Sequence, residues 1–168
     1  MALLLWDHTI TARADEIQQM SRAELADLSI GVVEGTTGLF AAPFDEYFPP
    51  DLATVITSAL HRCRASAPGW RLPRGYLTHF ADAVEAGLTV PLRPGCGALT
   101  MAALNLVNGV TGELDANGAM TILSSCYLAI GHAEFPDITS CEDERRNPRC
   151  QSALALQQNL ISLFSAHT

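Results

Sequence analysis

Two stretches of the chain hold side chains of the kind that do chemistry. "RPGCGA", residues 93–98, sets Cys96 between two glycines just ahead of a helix start. Free backbone N–H groups and the helix dipole at such a place favour a thiolate. A thiol nucleophile also needs a base, and His79 and His61 are the candidates, although nothing in their spacing brings either one to Cys96. The preferred reading is plainer: glycines shape a turn and a small apolar Cys packs beneath it. The second stretch is the acidic segment 134–144, where Glu134, Asp137, Glu142, Asp143 and Glu144 lie with Cys141 and the nearby His132. These supply oxygen, nitrogen and sulfur for a metal. No His-Glu-x-x-His or Glu-x-x-His spacing places two of them on one helical face, and Arg145 and Arg146 oppose a cation. The segment therefore reads as a solvated acidic loop or partner surface, with no metal and no cofactor. Acids just ahead of Asn147 also suit the positive end of the helix that follows.

Weaker signals resolve into structure. "EGTTGLF" has two glycines but lacks the Gly-Lys-Ser/Thr ending of a phosphate cradle. His61 and Cys63, two apart, point to different sides of a helix. Phe40, Phe44, Tyr47 and Phe48 fall around Pro43 and Pro49 and are expected to staple their loop onto the core, leaving Asp45 and Glu46 outside.

The elements that must position these residues are helical. Ser21 and Glu24 form a capping-box pattern opening a helix with Leu25, Leu28 and Val32 on one stripe, ended by Gly35 and Gly38. A short helix containing Ile17 precedes it. "FDEYFPP" reads as an extended or turning connection, since each proline disfavours helix in the residue before it. Pro49-Pro50-Asp51 opens the next helix, with Leu52, Val55, Ile56, Ala59, Leu60 and Cys63 inward. A helix near 74–87 turns Leu77, Phe80 and Val84 inward. Another runs from Ala98 and is closed by Asn108-Gly109 and Gly112. Asp115 caps a segment that is apolar nearly all round, so it belongs in the middle of a bundle. A polar loop covers roughly 135–146; Asn147 then caps, Pro148 takes the first helical position, and Ala153, Leu156, Leu160, Leu163 and Phe164 face inward. The fold class is all-α: one domain over 1–168, an irregular bundle of about six or seven helices.

Composition narrows function. The chain has 168 residues, 48% of them hydrophobic, and carries a net charge of −8. All ten basic residues are arginine and they are scattered, which excludes a nucleic-acid binder because phosphate neutralisation needs clustered cations. Five widely spaced cysteines without a Cys-x-x-Cys pair read as reduced thiols in a cytosol. "MALLLWDHTI" has no basic n-region and is too short to span a bilayer, so the sequence reads as a soluble cytoplasmic protein without a targeting segment.

"AALNLVNGVTGELDANGAMTILSSCYLAIGHAEF" followed by "NPRCQSALALQQNLISLF" resembles the YjaG-like bacterial proteins. In that family a helix leads through a Thr-Gly-Glu-like turn into an apolar helix, an acidic loop, and an Asn-Pro that opens a Gln-containing last helix. "IQQMSRAELADLSIGVVEG" and "FDEYFPPDLATVITSALHRC" are similar to its first two helices. Where the family commonly has a Glu-Arg pair, this chain has Glu34-Gly35. The resemblance implies an all-helical fold and no particular activity.

The functional expectation is a non-catalytic, acidic bacterial protein that binds and inhibits a basic partner protein, such as a toxin or an enzyme, in the manner of an immunity protein or antitoxin. Its expected contact residues are Asp137, Glu142, Asp143 and Glu144, then Asp45 and Glu46. The alternative is an enzyme or small-molecule binder with a pocket between helices, using Cys96 or a metal on the 134–144 loop.

Overall fold

The computed structural model describes residues 4–165. Six long helices make the body: α3 (Arg22–Thr37), α5 (Pro50–Ala65), α6 (Arg74–Gly87), α7 (Cys96–Thr111), α8 (Ala116–Ala133) and α10 (Pro148–Ser165). Short helices fill segments that the sequence reading left unassigned or took for loops. These are α1 (Leu4–Thr9), α4 (Phe44–Tyr47) and α9 (Cys141–Arg146); α2 (Ala14–Gln18) is the expected short helix before Ser21. The described residues contain no strand.

Local signals start these helices as their chemistry dictates. Ser21 and Glu24 form a complete capping box on α3, with the Glu24 N–H donating to Ser21 Oγ at 3.2 Å and the Ser21 N–H to Glu24 Oε2 at 2.7 Å. Asp115 accepts from the Gly118 N–H at 2.7 Å, and Asn147 accepts from the N–H groups of Arg149 and Cys150, both at 3.0 Å.

The nearly uniformly apolar α8 lies at the centre, packed by α3, α7 and α10. Ile122, Leu123, Cys126, Tyr127 and Ile130 are fully buried there. The buried apolar side chains from Leu5 to Ile161 form one continuous cluster.

Two glycines fit helices together where a side chain would not. Gly95 has φ +91°, a left-handed conformation, and a β-carbon on it would run into the Ala129 carbonyl oxygen of α8. Gly35 does not end α3, as the sequence suggested. The helix continues to Thr37 and ends at Gly38, its C-cap, as expected; glycine at 35 lets α10 approach, since a β-carbon there would lie 2.6 Å from Leu156 Cδ2.

α7 begins at Cys96, two residues before Ala98, and runs through Asn108-Gly109 to Thr111, with Gly112 as its expected C-terminal cap. Its last carbonyls are met by the Arg22 guanidinium, 3.3 Å from Gly109 O and 3.5 Å from Val110 O, with Trp70 O at 3.0 Å.

On α10 the buried stripe is Cys150, Ala153, Leu154, Gln157 and Ile161 rather than the purely apolar one expected, and Leu163 is 54% exposed. The polar member explains the rotation. Trp6 Nε1–H donates to Gln157 Oε1 and Gln157 Nε2 donates to Leu123 O, each at 2.8 Å, so an amide hydrogen-bonded at both its oxygen and its nitrogen takes the place of an apolar residue in the core.

Candidate functional site

The three consecutive acids of α9 have three different fates. Glu142 is exposed and pairs with Arg146 at 3.0 Å and Arg145 at 4.0 Å, one helical turn away. Asp143 accepts from the Thr139 N–H and hydroxyl, both at 3.0 Å, while its own N–H donates to Ser140 Oγ at 3.2 Å. These bonds, led by the Thr139 N–H, hold its carboxyl below the usual carboxylate range. The Ser140-x-x-Asp143 spacing is a helix-start signal that the reading of 135–146 as a loop passed over. Glu144 is 2% exposed, and its Oε1 accepts the Tyr127 hydroxyl at 2.8 Å. It is therefore a core residue and not the surface contact expected of it. A buried carboxyl needs a donor, and Tyr127 supplies one; burial raises the phenol well above its ordinary value, so it keeps its proton.

The rest of the acidic segment is similarly divided. Glu134 is held by Arg149 at 2.8 Å, and its side chain is 12% exposed. Asp137 stays exposed beside Phe135, itself 61% exposed. Among the described residues, no three His, Cys, Asp or Glu side chains converge as metal ligands.

Cys96 is fully buried at the first turn of α7, and its Sγ donates to the Tyr47 carbonyl at 3.8 Å. Burial pushes the thiol up to about 11, outweighing the Arg93 N–H and charge that act the other way. The helix start thus fails to produce a thiolate because the sulfur has left water. His79 and His61 are exposed and line two separate hollows, and Cys96 lines neither. Cys63 and Cys126 are buried with thiols pushed up to about 12, and Cys150 to about 11.

The corner made by α4 and the start of α5 is organised differently. Phe40 stacks on Tyr47 with ring centroids 4.8 Å apart and meets Phe48 edge-on at 5.3 Å, and Phe44 lies 4.5 Å from Phe48. Tyr47 OH donates to Pro94 O at 2.8 Å, and the Arg93 guanidinium lies 5.2 Å from the Tyr47 ring centre. This aromatic staple fixes the corner and leaves Asp45, Glu46 and Asp51 exposed. None of the three is ion-paired within the described residues. Beside them lies a hollow of about 430 Å³, lined by Glu46, Tyr47, Asp51, Gly87, Val90 and Arg93. Val90 is 48% exposed, so acids rim a surface with apolar parts.

No protein-family model, curated protein or solved structure matches this chain. Among the described residues, no helix is long and apolar enough to cross a membrane.

Proposed function

We propose that this chain is a non-catalytic binding protein that covers a basic segment of a partner protein and inhibits it, with the α4–α5 corner as the centre of contact. The observation that supports this reading is the exposed set Asp45, Glu46 and Asp51, unpaired within the described residues, two of which, Glu46 and Asp51, line the hollow of about 430 Å³. Acids already holding internal partners must surrender them before meeting a new cation, whereas these three lose only water. Asp137 and the already paired Glu142 stay exposed as secondary contacts, while Asp143 and Glu144 serve the fold. Chemistry on Cys96 or on a metal at 134–144 loses its support, because the thiol is buried and the acids face different partners. The YjaG-like resemblance enters the proposal as fold alone.

The test is affinity capture from host lysate at low and moderate salt, followed by calorimetry with the retained protein. A stoichiometric basic protein released as salt rises is expected. Asp45→Asn, Glu46→Gln and Asp51→Asn together should weaken it by at least about tenfold and flatten the salt dependence. Equal affinity of the triple variant would remove the corner from the account.

A further inference from the structure

The seam between α5 and α6 runs antiparallel, with Leu52 against Gly87 at one end and Arg62 stacked on Tyr76 at the other. The first end belongs to the acidic corner. At the second end a separate hollow of about 310 Å³ opens between the helices. Its chemistry is opposite to that of the chain as a whole. Although the protein carries 18 acids, no Asp or Glu lines this hollow. Its polar groups include donors from both helices: Ser58 and Arg62 on one face of α5, Tyr76 and His79 on one face of α6. Val55 and Phe80 give it an apolar floor.

Arg62 differs from the arginines that hold ion pairs. Arg13, Arg64, Arg146 and Arg149 each hold a carboxylate within 3.0 Å, whereas Arg62 holds none among the described residues. Its guanidinium instead lies 5.1 Å from the centre of the Tyr76 ring. Stacking uses the flat face and leaves the in-plane N–H fork available, the arrangement suited to bidentate recognition of a carboxylate. Burial raises the Tyr76 phenol, which keeps it a donor. His79 donates from one ring nitrogen when neutral and from two when protonated.

We propose that this hollow binds a small amphiphilic carboxylate, with the acid group anchored by Arg62 and the apolar body on Val55 and Phe80. A single charge fits better than several, since a net charge of −8 repels each further negative group. The volume falls at the small end of ligand sites, which span about 300–1,000 Å³.

The probe is 3-phenylpropionate titrated into isotope-labelled protein. Saturable amide shifts confined to residues 54–62 and 76–83 are expected, with the neutral amide, 3-phenylpropionamide, at least about tenfold weaker. Arg62→Gln should weaken the acid by at least about tenfold, Arg62→Lys by less, and Ser58→Phe should fill the hollow and abolish binding. Both positions are exposed, so the fold survives these changes. The triple variant of the acidic corner should bind the probe normally, which separates this inference from the partner reading. No saturable shift up to about 10 mM, equal binding of the amide, or unchanged affinity in Arg62→Gln would each overturn it.

Discussion

The acids of α9 and those of the α4–α5 corner look alike in sequence and behave differently in the fold. On α9, arginines one turn onward meet Glu142, the preceding Thr139 and Ser140 engage Asp143, and Tyr127 from the central helix takes Glu144. At the corner, α4 is a single turn, too short to present a cation to its own acids, and no arginine occurs between Arg22 and Arg62. Arg93 reaches the corner but rests on the Tyr47 ring. A cluster of charge in a sequence is thus a poor guide to the charge available on a surface. What matters is whether the neighbourhood has already supplied partners.

This contrast can be broken by mutation. Glu144→Ala should be the most damaging change, because it leaves a small cavity and strips the buried Tyr127 hydroxyl of its acceptor. A loss of about 2–3 kcal/mol is expected in urea unfolding. A loss near zero would return Glu144 to the surface set. Ser140→Ala removes the cap of α9 and should cost about 1 kcal/mol by the same measurement.

Asp143 sharpens the comparison through pH. Its carboxyl is held below the usual range in the folded protein, so its contribution is present above the unfolded value of about 3.9 and is lost as pH falls through the folded one. Asp143→Asn should therefore flatten the acid limb of the stability profile below about pH 4. The smallest effect is expected at the corner. Asp45→Asn with Glu46→Gln should change unfolding free energy by less than about 0.5 kcal/mol, since neither acid is ion-paired within the described residues. A larger loss would mean that these acids also serve the fold.

Much of the architecture was legible because its causes are local. The Ser21–Glu24 box, the Asp115 and Asn147 caps, and the apolar stripes of α5 and α8 act within one or two turns, so the order of residues is enough to read them. The candidate site was legible in part. The aromatic staple and the exposure of Asp45 and Glu46 follow from prolines and spacing, but Ser140-x-x-Asp143 was hidden within a run of charges.

By itself, the sequence determined an all-helical chain rich in acid, with a central helix apolar on nearly every side. The tertiary structure decided which polar groups are buried and which remain available. Gln157 meets Trp6 across 151 positions, Glu144 meets Tyr127 across 17, and Cys96 meets the Tyr47 carbonyl across 49. Local pattern cannot supply such pairings. Burial becomes tolerable for a polar group when a distant element delivers the matching donor or acceptor, and that delivery is a property of the packed molecule.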